Sequence, residues 1–125
     1  MKLASYEYQQ RTSYGVGTDA GVVDVPAAWP DGPADLLAAV RGGPRALDRL
    51  RDIAVASLPV LPWDDVRLLA PLPAPPKVLG LAGNYAAHIR EARLAAGLSE
   101  DPHADTVPRP FLMPVTAVAG PDAVV

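Results

Sequence analysis

The chain has 125 residues, half of them hydrophobic and one fifth charged, and a net charge of −3 at pH 7. That balance belongs to a folded chain rather than a disordered one. With no basic stripe, nucleic acid is excluded as a partner. The lack of cysteine excludes disulfides, thiolate metal sites and a cysteine nucleophile.

No apolar stretch reaches bilayer length, and Met1–Tyr8 lacks the apolar run of a signal peptide. The expectation is a soluble cytoplasmic protein with no membrane partner. Leu3–Tyr8 is rich in strand formers, and Tyr14–Gly17 and Val22–Val25 flank a turn at Thr18-Asp19-Ala20-Gly21. A hairpin joined to a first strand therefore predicts a small sheet. Trp29-Pro30-Asp31-Gly32-Pro33 is a turn cluster. After it, Ala34–Arg41 predicts a short helix ended by Gly42-Gly43. Pro44 suits the first turn of a second helix running to about Ser57, with an apolar stripe of Leu47, Leu50, Ile53 and Ala54.

Pro59–Trp63 reads as an extended connector and Asp65–Leu69 as a short strand. Leu72-Pro73-Ala74-Pro75-Pro76 is a stiff polyproline-like link. It suggests a small α+β domain over 1–70, a linker over 71–76, and a second unit from 77 to 125. Lys77–Ala82 reads as a buried strand, Gly83-Asn84 as a turn with Asn84 capping a helix, and Gly97 as the stop after Ala96. A polar loop, Ser99–Thr106, precedes the apolar run Phe111–Val115. Gly120-Pro121-Asp122 reads as a turn into a strand that the sequence leaves at Val125, which points to truncation. A ligand site between Trp29 and Trp63 has no residue pattern behind it.

One constellation suggests chemistry: Asn84-Tyr85-Ala86-Ala87-His88-Ile89-Arg90-Glu91, which follows a strand and opens a helix. His88 and Glu91 are spaced i,i+3, so both are expected to project from the same helical face. A carboxylate beside an imidazole stabilises the protonated ring, as a water-activating base requires. The same spacing also occurs on many solvated helices. His103 and Asp105 fall together in the polar loop and make too poor a donor set for a metal.

The stretch Lys77–Gly120 resembles the opening of the fumarylacetoacetate hydrolase core. The matching residues are Lys77, Asn84-Tyr85, His88, Glu91, Pro108-Arg109-Pro110-Phe111, Pro114 and Gly120-Pro121. Val66–Pro71 and the Lys2–Tyr6 segment resemble the lead-in and the small domain of many members. The resemblance implies an α+β chain: a small sheet with two short helices, then the first strand–helix unit of an incomplete mixed β core.

It also implies a catalytic pair, His88 as general base and Glu91 as its orienting partner, on a segment that acts as a lid. Complete members bind Mg2+ or Mn2+, dimerise through the core, and act on 2-oxo or 1,3-dicarbonyl substrates, often in aromatic catabolism. Metal-dependent carbon–carbon bond hydrolysis is the leading expectation, with decarboxylation, hydration and isomerisation beside it. Two departures stand out. Met113 occupies the usual lysine position, and the family's Glu-x-Glu ligands would lie beyond the last residue, so this chain alone is expected to bind no metal. It is then an inactive fragment or a degenerate or accessory chain.

Overall fold

The computed structural model describes residues 1–56, 59–98, 107 and 109–124. Strands β1 (Lys2–Tyr8) and β2 (Arg11–Gly17) pair antiparallel in the register Tyr8↔Arg11. Gln9 and Gln10 form the two-residue turn at φ 48° and 64°. Two consecutive positive φ values give the turn a twist that matches the strands it joins. Strand β3 (Gly21–Asp24) adds to β2, and Thr18 Oγ1 closes the intervening turn by donating to Gly21 O at 3.0 Å.

Two short strands complete the sheet: β4 (Leu61–Pro62) on β3 and β5 (Arg67–Leu68) on β1. The order is β4-β3-β2-β1-β5, antiparallel throughout. Gly21 permits the β3–β4 approach, because a Cβ there would lie 2.0 Å from Leu61 O.

Three helices cover this sheet, one more than the sequence suggested. Helix α1 (Val25–Ala28) starts where Asp24 Oδ2 accepts from Ala27 N at 3.2 Å, with proline in its first turn. Helix α2 (Leu36–Arg41) begins two residues later than expected. Asp35 Oδ1 accepts from Ala38 N at 2.7 Å and so fixes the first turn. Helix α3 (Gly43–Val55) has Pro44 in its first turn and buries Ala46, Leu50 and Ile53, with Leu47 and Ala54 partly buried beside them. The core joins Tyr14, Val16, Val23 and Val25 from the sheet to Leu36, Ala39, Leu50 and Ile53 from the helices. Each large aliphatic side chain enclosed there contributes about 1.5–3 kcal/mol.

Both tryptophans serve this packing. Trp63 Nε1 donates to Thr18 O at 3.1 Å and its ring lies against Gly17, while Trp29 packs on the core. The proline-rich stretch is tied down rather than straight. It bends over residues 71–74, Ser5 Oγ donates to Pro71 O at 2.7 Å, and Leu72 packs on the core. Gly120 approaches the Leu69–Ala70 backbone, so the segment from Val118 onward belongs with Met1–Pro75. The turn at Gly120–Ala123 forms, but Ala123 and Val124 are not in a strand, contrary to expectation; Val124 is fully exposed.

A second unit, Pro76–Ala117, is separate. Its hairpin pairs β6 (Val78–Ala82) with β7 (Arg109–Met113) from Val78↔Met113 to Ala82↔Arg109. Helix α4 (Ala86–Ala95) follows β6. Gly80 admits the Phe111 ring, since a Cβ would come within 2.3 Å of it.

The expectation of a buried β6 is overturned, because no described residue of this unit is buried. Leu79 and Leu112 are paired and are 64% and 73% exposed. An apolar strand is buried only if a second layer covers it, and a two-stranded hairpin with one helix supplies little cover. The expected Asn84 cap is also corrected. Tyr85 occupies the N-cap position, and no side chain caps the helix. The described chain is thus mixed α+β, a small sheet with short helices followed by a strand–helix unit, as the sequence suggested.

Candidate functional site around His88

The β6–α4 junction builds the site. Gly83, at φ 63°, turns the chain out of β6, and Ile89 N donates to Tyr85 O at 3.0 Å in the first turn of α4. A cavity of about 260 Å3 opens there, lined by Ala82, Gly83, His88, Ile89, Arg93 and Arg109 among others. The cross-strand pair Ala82↔Arg109 brings Arg109 to it from β7, across the variable loop in sequence.

Glu91 does not line this cavity, and no hydrogen bond or ion pair joins it to His88. Helical geometry explains why. Each residue advances about 100° around the axis. Ile89, Ala92 and Arg93 therefore lie about 40–140° from His88 in one direction, and they share the cavity with it. Glu91 lies about 60° in the other direction. The i,i+3 spacing puts the two side chains near one another on the helix but leaves the carboxylate on its outer flank. Both residues are exposed.

Arg93 and Arg109 are the charged residues that sequence reasoning missed at this site. The helical step from Ile89 to Arg93 was visible, but the strand register that delivers Arg109 was not. His103 and Asp105 lie outside the described residues. Met113 pairs with Val78 and is 39% exposed. Among the described residues no group of three His, Asp or Glu side chains converges as a metal site. The described residues supply no donor set for the divalent cation that the resemblance implies.

A larger cavity, about 370 Å3, lies in the first unit beside Tyr6, Arg11, Ser13 and Asp24. Its carboxylate is already satisfied. Asp24 Oδ1 accepts from Tyr6 Oη and Ser13 Oγ, both at 2.5 Å, while Oδ2 accepts from Ala27 N. Burial and the neighbouring Asp24 hold the Tyr6 phenol far above its usual range. These groups are locked into the fold and offer no general base.

No family model matches the chain. Over 75 residues, 60% of its length, it is 37% identical to mitochondrial oxaloacetate tautomerase FAHD2A of Bos taurus. The same extent is 36% identical to mitochondrial oxaloacetate tautomerase FAHD2B of Homo sapiens. It is 35% identical to fumarylacetoacetate hydrolase domain-containing protein 2 of Pongo abelii. The resemblance to the fumarylacetoacetate hydrolase family is borne out. The chain spans about a quarter of these relatives, with 24% of each covered by the match. Two of these fumarylacetoacetate-hydrolase-type relatives are named mitochondrial, which lends no support to the cytoplasmic expectation. Among the described residues no helix is long and apolar enough to cross a membrane.

Proposed function

We propose that the protein catalyses proton transfer on a 2-oxo acid, with His88 as the acid–base group. The observation that carries the reading is the placement of His88 on a cavity at a strand–turn–helix junction. Among the described residues lining that cavity, His88 is the one imidazole, the side chain best suited to acid–base work. The relatives' printed activity, oxaloacetate tautomerisation, fits that equipment better than carbon–carbon bond hydrolysis, because it needs a proton moved and no carbon–carbon bond cleaved.

The step balances without a co-reactant. The imidazole takes the enol hydroxyl proton as the C2 carbonyl forms, the resulting imidazolium, free to exchange that proton with water, returns one to the C2–C3 π pair at C3, and the enol becomes its keto isomer with the imidazole restored. Hydrolysis, decarboxylation and hydration of 2-oxo or acylpyruvate-type compounds remain the wider family range, as does dimerisation of the complete enzyme. Glu91 enters this scheme as an orienting partner only if α4 turns to bring it toward the ring. The competing proposal is a non-catalytic accessory chain, favoured by the absence of converging metal ligands among the described residues.

The test is enol-to-keto conversion of oxaloacetate. His88→Ala is expected to lower its rate by about 10²–10⁴-fold, the range of a lost general acid–base group. An unchanged rate removes His88 from the chemistry and favours the accessory reading.

A further inference from the structure

We infer that the cavity beside Tyr6 in the first unit binds a free α-amino acid with an apolar side chain, held as its zwitterion between Arg11 and Asp24. Strand register builds the place. Tyr6 pairs with Ser13, Tyr8 with Arg11 and Gly15 with Asp24. Side chains alternate along a strand and directly paired residues share a face, so all of these stand on one face of the sheet. Tyr6, Tyr8, Arg11, Ser13 and Asp24 line a cavity of about 370 Å3, within the size range of small-ligand sites.

Arg11 and Asp24 are the charged side chains among the described residues lining it. They carry opposite signs, and among the described residues no ion pair joins them. Asp24 is satisfied as an acceptor, yet its three donors, Tyr6 Oη, Ser13 Oγ and Ala27 N, are all neutral. Its charge therefore persists, and a carboxylate with about four acceptor positions keeps one open. Arg11 is exposed, and among the described residues its side chain makes no hydrogen bond or ion pair. Beyond the burial that chiefly raises the Tyr6 phenol, the charge of Asp24 raises it and that of Arg11 lowers it, so both charges stand within electrostatic reach of one hydroxyl.

A lone anion entering the cavity gains Arg11 and is repelled by Asp24, and a lone cation meets the reverse. A zwitterion with its carboxylate at Arg11 and its ammonium at Asp24 gains both contacts. Arg11 lies four residues along β2 from Gly15, the partner of Asp24, about 13 Å of strand. An arginine arm covers part of that distance, which leaves a gap for a small molecule. The apolar walls, Val23, Ala27, Ala28 and Leu61, suit a hydrocarbon side chain. Gln9 Nε2 donates to Tyr8 Oη at 3.1 Å, which leaves the phenol's own O–H to donate to the ligand's carboxylate beside Arg11.

The test is calorimetry of the full chain with L-phenylalanine, 3-phenylpropionate and phenethylamine, the last two lacking the ammonium and the carboxylate respectively. Phenylalanine is expected to bind at least about tenfold more tightly than either analogue. Arg11→Gln should weaken phenylalanine binding by about tenfold to a hundredfold, the range of a lost charge-assisted contact. Arg11 is exposed, so this variant keeps the fold. Asp24→Asn keeps an oxygen for the helix cap and removes the charge. It should weaken phenylalanine binding while 3-phenylpropionate binds as well as before or better, a divergence that damage to the fold would not produce.

Phenylalanine that fails to bind the wild type below about 10 mM overturns the site. Either analogue binding as tightly as phenylalanine overturns the zwitterion. Unchanged phenylalanine affinity in Arg11→Gln overturns the carboxylate contact on which the inference depends.

Discussion

The Tyr6 hydroxyl donates to Asp24 Oδ1 at 2.5 Å, and the same carboxylate caps helix α1 through Ala27 N. One residue at the end of β3 thus ties β1 to the first helix. Burial first, and then the hydrogen bond and charge of Asp24, raise the Tyr6 phenol above its ordinary range. Burial and the charges of Asp35 and Asp24 raise Tyr14 in the same direction. A raised tyrosine binds its proton more tightly when folded. Its contribution to stability is complete below the unfolded value, about 10, and falls away as pH rises above it. Chemical denaturation should therefore give a stability that declines above about pH 10, with phenolate absorbance appearing together with unfolding. Tyr6→Phe should flatten that decline, leaving the part due to Tyr14.

Asp24→Ala removes an acceptor shared by three donors and leaves the buried Tyr6 hydroxyl without its partner. The combined loss of the cap and of the buried bond should cost about 2–4 kcal/mol in equilibrium unfolding. Asp24→Asn keeps an acceptor oxygen and should cost less.

Leu50 is fully enclosed between α3 and the sheet. Leu50→Ala should destabilise the first unit by about 2–5 kcal/mol, read as a lower thermal midpoint. Gly80→Val acts on the other unit, because the Phe111 ring occupies the space a side chain would need. It should change the Phe111 environment and the β6–β7 amide shifts while leaving the Tyr6 and Leu50 signals in place.

The second unit has apolar surface in water: Leu79, Leu81, Phe111 and Leu112 are all at least 48% exposed. Such a surface binds hydrophobic dyes and promotes association. Leu79→Lys with Leu112→Glu should reduce dye binding and raise solubility without lowering the thermal midpoint of the first unit. Hydrogen exchange should find slow amides in β1–β3 and α3, and fast ones in β6, β7 and α4.

Much of this was legible from residue types. The strand formers of Leu3–Tyr8, the Thr18-Asp19-Ala20-Gly21 turn before β3, Pro44 and the Gly97 stop each act locally, so their elements fall close to where expected. Helix α1 was readable in principle from Asp24 with Pro26 behind it, but four residues leave no periodicity to see. The burial of β6 was not readable, because an apolar run reports only an affinity for cover and not whether cover is present. The position of His88 on the chain and on a helix was clear. Its cavity-mates were not, because Arg109 arrives by strand register and Glu91 departs by 60° of helical twist, about one sixth of a turn.

Glu91→Gln separates the two roles that the spacing alone merged. With the carboxylate on the outer flank of α4, the substitution should lower oxaloacetate conversion by less than about tenfold, far less than His88→Ala. An equal loss in both variants would show that α4 turns during the reaction to bring Glu91 to the ring.

The most direct measurement is solvent deuterium incorporation at C3 of oxaloacetate in D2O, followed by proton NMR, for wild type and His88→Ala. Protein-dependent incorporation that disappears with the imidazole is the predicted result. Incorporation at the same rate in both proteins would contradict the account.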